Sequence, residues 1–240
     1  MDVLIVGASG SIGEELAKIY WTKYSNTTGF RLFVTHRKEG FEGPEGAINI
    51  LLDYEDEKSM AKCVTLLSKE ELRPGIVVFC SGFLHDSLHR PEKKISEVSG
   101  DYLSKSFQIN AAGPLLFFSK ISEMIKKTDS AKVIFLSAQV GSIEDNRSGG
   151  WYGYRMAKAA LNMAIKSISV EAARWVKPPI VVAIHPGTTI SNLSKRFLGQ
   201  RTSKAQTPAE CASKLSSLIS SLDFGDSGKF LTLSHVELPW

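Results

Sequence analysis

Two hydrophobic patterns alternate along the chain. Short, nearly continuous apolar runs occur at "DVLIVGA" (2–8), "FRLFVTH" (30–36), "AINILLD" (47–53), "GIVVFCS" (75–81), "AKVIFLSA" (131–138), "PIVVAIHPG" (179–187) and "GKFLTL" (228–233). Between them, helical periodicity covers 11–24, 57–69, 101–127, 149–175 and 208–221. The apolar runs lack the polar alternation of half-exposed strands, as expected when helices cover both faces of a parallel sheet. The pattern predicts an α/β fold: a single-domain, Rossmann-type doubly wound parallel sheet flanked by helices, with right-handed crossovers. A length of 240 residues without repeats or linker composition suits one domain. Two long loops, 82–100 and 188–206, follow the carboxyl ends of predicted strands, the edge where open α/β sheets bind ligands.

Composition narrows the function classes. The net charge of +4 is spread along the chain, with no basic cluster longer than "KK", so neither nucleic acid nor a membrane surface is an expected partner. Cys63, Cys80 and Cys211 are far apart, which fits a reducing compartment better than a disulfide framework. The opening "MDVLIVGASG" reads as a buried strand and not as a signal peptide, and no apolar run approaches the ~20 residues that span a bilayer. A soluble, cytoplasmic protein is expected. Five histidines without paired spacing to carboxylates or thiols, His85 and His89 among them, read as surface residues, and no metal is expected.

Chemistry is concentrated at two places. In "LIVGASGSIGEELAKIY", Gly7, Gly10 and Gly13 lie between the first strand and the first helix. Glycines there permit a tight turn and let backbone N–H groups approach a pyrophosphate at the helix start. The spacing is G-x-x-G-x-x-G and differs from the common dinucleotide fingerprint. After the second strand the chain offers Thr35, His36 and Arg37 where an NAD site usually offers a carboxylate. A guanidinium suits a 2′-phosphate, which favours NADP(H) over NAD(H); the other reading makes Arg37 a solvated loop residue. Asp53, in "LLDYED", either meets an adenine ring or caps the next helix. The second place is the helix of 149–175, where Tyr154 and Lys158 stand one turn apart on one face. An ammonium beside a phenol favours the phenolate, drawing a group of pKa ~10 toward the range of a general acid.

Taken in order, these motifs resemble the short-chain dehydrogenase/reductase family over essentially the whole chain. The residues carrying the resemblance are "GASGSIG", "LDYED", "FQINAAG", "LSAQVGS", "YRMAK" and "HPGTTISNLS". More narrowly, "SAQVGSIEDNRSGGWYGYRMAKAALNM" and the ending "ELPW" look like the C-factor subgroup, which is similar to insect sniffer-type carbonyl reductases. The resemblance implies hydride transfer between a nicotinamide and a small carbonyl or alcohol. Tyr154 would exchange the proton, Lys158 would lower the tyrosine pKa and bond the nicotinamide ribose, and Asn110 would hold a relay water; a polar side chain satisfied at a local kink is the alternative for Asn110. Ser9, Ser11 and Ile12 would join the three glycines around the dinucleotide, with Tyr54 beside Asp53, and Ser81 and Gly82 after the fourth strand. Pro186, Gly187, Thr188 and Ser191 would shape the nicotinamide wall.

Two positions depart from the family pattern. The substrate-orienting serine normally stands where this chain has Ala138, leaving Ser137 and Ser142 as the nearby hydroxyls; Ser137 is the choice, because the Ser137–Ala138 pair resembles the C-factor subgroup. "VFCSG" at 78–82 puts Cys80 where many members have asparagine, so packing must hold the sheet centre there. Trp151, Phe83, Leu84 and Phe197 are candidates for an apolar substrate wall or for ordinary packing. The apolar stretch "GPLLFFSK" and the helix after Tyr154 suggest a homo-oligomer contact. A second class of function remains open: a cofactor-binding signalling protein of the C-factor type in which turnover is incidental.

Overall fold

The computed structural model describes residues 1–198 and 205–240. All seven expected strands form, as β1 (Asp2–Val6), β2 (Arg31–His36), β3 (Ile48–Leu51), β4 (Pro74–Phe79), β5 (Lys132–Leu136), β6 (Ile180–His185) and β7 (Phe230–Thr232). They build one sheet in the order β3-β2-β1-β4-β5-β6-β7, with every neighbouring pair parallel. Because all strands run the same way, the loops after them converge on one edge, and the order reverses beside β1, where a crevice opens.

The helices are α1 (Ser11–Tyr24), α2 (Glu57–Lys69), α3 (Gly100–Phe107), α4 (Gly113–Ile125), α5 (Tyr152–Ala172) and α6 (Pro208–Ser221). Alternate strand side chains feed two separate cores. Leu4, Val6, Phe79 and Phe135 pack against α2, α4 and α5, with Phe79 and Phe135 stacked at 4.2 Å between ring centres. Val3, Ile5, Val182 and Ile184 pack against α1 and α6 on the other face. Both faces of the sheet are thus dry, which is why the strands read as unbroken apolar runs.

Two helices differ from the sequence expectation. The long helix of 101–127 is interrupted by a π turn, Gln108–Ala112, that carries Asn110 and separates α3 from α4. The cause is an amide that bonds across to another chain segment, described below, where the helical ladder would otherwise continue. The helix of 149–175 begins only at Tyr152, because Gly149, Gly150 and Trp151 all have left-handed backbone torsions (φ of 62°, 65° and 53°). The chain therefore makes a sharp, non-helical entry into α5.

Candidate active site

The crevice after β1 begins at the glycine turn. Gly7 has φ of 84°, and a Cβ on it would lie 2.8 Å from the Ser81 amide nitrogen. A Cβ on Gly13 would lie 2.6 Å from the Gly7 carbonyl oxygen, so the glycine lets α1 start directly against the turn. Thr35 steadies the turn: its Oγ1 accepts from the Gly7 N–H at 3.1 Å and its carbonyl accepts from Ala8 at 2.8 Å. No side chain caps the N-terminus of α1, where Gly10 is the cap residue, so backbone N–H groups there are available to an anion.

A cleft of about 370 Å³ runs from this turn to Tyr154. Gly7, Ser9, Gly10, Ser11 and Ile12 line one end. Arg37 lies at the rim with 57% of its side chain exposed, its Nη1 3.2 Å from a Glu55 carboxylate oxygen. The guanidinium is thus both exposed to solvent and paired with a carboxylate at the cleft rim, so either reading of Arg37 fits its position. Asp53 also lines the cleft, and Asp56 caps α2 through the Lys58 N–H, which removes the capping alternative for Asp53. Tyr54 is buried; its hydroxyl accepts from Ser81 Oγ at 3.1 Å, tying the ends of β3 and β4 together across the cleft floor.

At the other end, α5 brings in Tyr154 and Lys158, both buried and both lining the cleft. Burial alone pushes the Tyr154 phenol well above its ordinary range and pulls Lys158 down to about 8. The expected lowering of the phenol by the ammonium is therefore outweighed by desolvation. The Lys158 Nζ lies 5.9 Å from the Tyr154 ring centre and donates to the Leu136 carbonyl at 3.0 Å. The lysine is anchored to the end of β5 and its other two N–H bonds are left for the cleft.

Ser137 lies next to Leu136 and lines the cleft, and its hydroxyl donates to Asn162 Oδ1 at 2.6 Å, in the turn of α5 that follows Lys158. Ser142 is further removed: its Oγ donates to the Trp240 carbonyl and accepts from the Asp145 N–H. Asn110 is fully buried and outside the cleft lining. Its Oδ1 accepts from the Phe83 N–H at 2.9 Å, while Nδ2 donates to the Phe83 carbonyl at 2.7 Å and to Ser106 Oγ at 3.3 Å. Both Nδ2 hydrogens are used in these bonds while Oδ1 keeps one lone pair, and the amide pairs with the Phe83 main chain as a neighbouring strand would, so it holds the π turn against the chain after β4.

The remaining expected residues divide by position. Ser81, Gly82, Pro186 and Ser191 line the cleft; Gly13, Gly187 and Thr188 do not, Gly13 because it packs behind the turn and Thr188 because it faces solvent. Cys80 lines the cleft and packs into the core beside α1. Phe83 and Leu84 are buried, with Phe83 in the cleft wall. Trp151 and Phe197 meet edge to face at 5.4 Å, and Trp151 stands 6.2 Å from the Tyr154 ring. His89 is no surface residue: with 9% of its side chain exposed it bridges Asp86 and Asp101, pinning the first long loop to α3. Part of the second long loop, 199–204, lies outside the described residues. Sequence reasoning missed Leu136, Ile109 and Leu193 as cleft residues, since apolar side chains carry no local signal of which cavity they border, and it missed the polar Asn192. In "GPLLFFSK" the four apolar residues split: Phe117 and Phe118 are core, while Leu115 and Leu116 are exposed, as are Met163 and Val170 on α5.

Comparison with known proteins agrees with the fold. The structure of the NADPH-bound carbonyl reductase from chicken fatty liver superposes with a TM-score of 0.85 at 21% identity, covering 100% of this chain and 98% of that one. Carbonyl reductase Sniffer of D. melanogaster gives 0.81 at 21% identity, with coverage of 100% and 99%. In sequence, C-signal of Myxococcus xanthus is 31% identical over 140 residues, 58% of this chain and 78% of that protein. The family model described as short chain dehydrogenase matches residues 2–201. With the glycine turn, six of the seven strands of the parallel sheet and the Tyr154–Lys158 helix all in that span, the chain belongs to the short chain dehydrogenase family.

Proposed function

We propose that the chain is an NADP(H)-dependent oxidoreductase interconverting a carbonyl and an alcohol. The observation that carries this reading is the single cleft joining the glycine turn at α1 to the buried pair Tyr154 and Lys158. The groups present fit a nicotinamide dinucleotide. A cradle that a Cβ at Gly7 or Gly13 would fill meets uncapped helix N–H groups, and Arg37 offers a guanidinium at the rim. When bound, the dinucleotide would supply or accept the hydride. Tyr154, kept protonated by burial, is the acid for carbonyl reduction. Lys158, an ammonium at neutral pH, compensates the charge that develops on the phenol oxygen as its proton leaves. The Leu136 carbonyl fixes that ammonium in place. Ser137 lines the cleft with Tyr154 and is the hydroxyl that would orient the substrate, and Asn110, which holds the π turn, keeps one lone pair on Oδ1 for a relay water.

The three free thiols, Cys63, Cys80 and Cys211, support a reducing, cytoplasmic location, and no described helix is long and apolar enough to cross a membrane. Leu115 and Leu116 on α4 and Met163 and Val170 on α5 support a homo-oligomer contact on that face. The similarity to C-signal, with Ala138 in place of the usual serine, supports one alternative: a protein whose bound nucleotide stabilises a signalling surface.

The catalytic reading predicts that Tyr154→Phe lowers kcat for carbonyl reduction by about 10² to 10⁴ without loss of NADPH binding; full turnover in this variant overturns it. Because Lys158 loses its proton near 8, kcat/KM for reduction should fall as pH rises through about 8, and a flat profile to pH 10 removes the ammonium from the mechanism. For the cofactor, Arg37→Ala should weaken NADPH by about tenfold to a hundredfold, matching a charge-assisted bond of ~1.5–3 kcal/mol, and leave NADH unchanged; equal effects on both dinucleotides exclude a 2′-phosphate contact. Sedimentation velocity should show an assembly that Leu116→Glu dissociates, whereas a wild-type monomer rules out the α4–α5 contact. The signalling alternative gains if cells keep their phenotype with Tyr154→Phe and lose it with a Gly13→Val variant that no longer binds nucleotide.

A further inference from the structure

The entry into α5 lacks every local device that usually begins a helix. Trp151, the cap residue, makes no side-chain cap hydrogen bond, and the first turn holds no acidic residue. Gly149, Gly150 and Trp151 are all left-handed, so the segment has no intrinsic reason to point Tyr154 in one direction. The first N–H groups of a 21-residue helix would be orphaned beneath the substrate loop.

Glu92 fills this gap from 61 residues away. Its side chain is 2% exposed, and both carboxylate oxygens lie 3.2 Å from the Gly153 N–H, one residue before Tyr154. Its own carbonyl accepts from the Trp151 N–H at 2.5 Å, so one residue grips the helix entry through main chain and side chain together. A Cβ on Gly153 would come within 2.8 Å of the Tyr102 ring and 3.3 Å of a Glu92 oxygen, so the fit is close. The other side of the same residue is bonded too: Ser106 Oγ donates to the Gly153 carbonyl at 3.1 Å and itself receives the Asn110 amide at 3.3 Å. A carboxyl oxygen at a helix N-terminus satisfies N–H groups that the helix itself leaves without partners.

We propose that Glu92 is a positioning residue for Tyr154: a cap supplied by the substrate loop that seats the first turn of α5 and ties the placement of the reacting phenol to the fold of that loop. The proposal rests on the reading of Tyr154 as the proton-exchanging group, and its test separates the two. Glu92→Ala removes both acceptors from Gly153, while Glu92→Gln keeps one amide oxygen in nearly the same place. Amide hydrogen exchange at Gly153 should quicken by about tenfold or more in the alanine variant, as for a lost buried hydrogen bond, and recover in part in the glutamine variant. The kcat for carbonyl reduction should fall by about tenfold to a hundredfold in the alanine variant, the cost of a misplaced reacting group, with NADPH affinity unchanged and the glutamine variant again between. Wild-type exchange and wild-type kcat in Glu92→Ala overturn the proposal. So does a loss in which kcat, NADPH affinity and folded fraction fall together and glutamine gives no rescue, since that marks a purely structural residue. If the wild type reduces no carbonyl, the reading of Tyr154 fails, and the Gly153 exchange still decides whether Glu92 seats the helix.

Discussion

A buried ammonium is expensive unless its hydrogens find acceptors, and Lys158, 3% exposed, has the Leu136 carbonyl at 3.0 Å as its protein partner. That contact requires the end of β5 to lie within reach of the middle of α5. It does so because the turn after β5 passes Gly141 so close to the helix that a Cβ there would be 2.8 Å from the Lys158 Cβ. The Ser137 hydroxyl bonded to Asn162 fastens the same junction one turn further along. The parallel sheet then does the rest. With all strands running in one direction, fixing α5 against β5 also fixes Tyr154 relative to the glycine turn after β1, two strands away.

The electrostatic state of the pair follows from that packing. Desolvation disfavours the charged form of both groups, which keeps the phenol protonated and brings the amine near 8. A tyrosine and lysine on an exposed helix face would keep ordinary values, without the raised phenol and lowered amine found here. Burial, more than the four-residue spacing, distinguishes this pair from a chance occurrence on a surface helix.

Features made by neighbours in sequence were legible in the chain. Strand runs, the glycine turn, the helix periods and the Tyr154–Lys158 spacing are all local, and each stands within about two residues of its expected place apart from the interrupted 101–127 helix and the late start of α5. What escaped sequence reasoning is made by partners far apart. Asn110 meets Phe83 across 27 residues, Ser137 meets Asn162 across 25, Arg37 meets Glu55 across 18, and Glu92 meets Gly153 across 61. None of these has a periodicity or a composition that announces it. The π turn lies between the two: a kink at Asn110 is one reading of "FQINAAG", but its partner, the Phe83 main chain 27 residues away, carries no local signal.

These long-range bonds also fix the first long loop against the cleft. The Asn110 amide is spent on Phe83, the Tyr102 hydroxyl on the Leu84 carbonyl, and His89 on Asp86 and Asp101, so the chain after β4 is pinned at several points before it reaches Glu92. Each pin uses a side chain from α3, the π turn or the loop itself, and each leaves the tip of the loop, Ser87 and Leu88, exposed. The loop is thus bonded where it touches the entry of α5 and exposed at its tip, so substitutions at Ser87 and Leu88 leave these bonds intact, whereas changes at the pinned positions act on the helix entry itself.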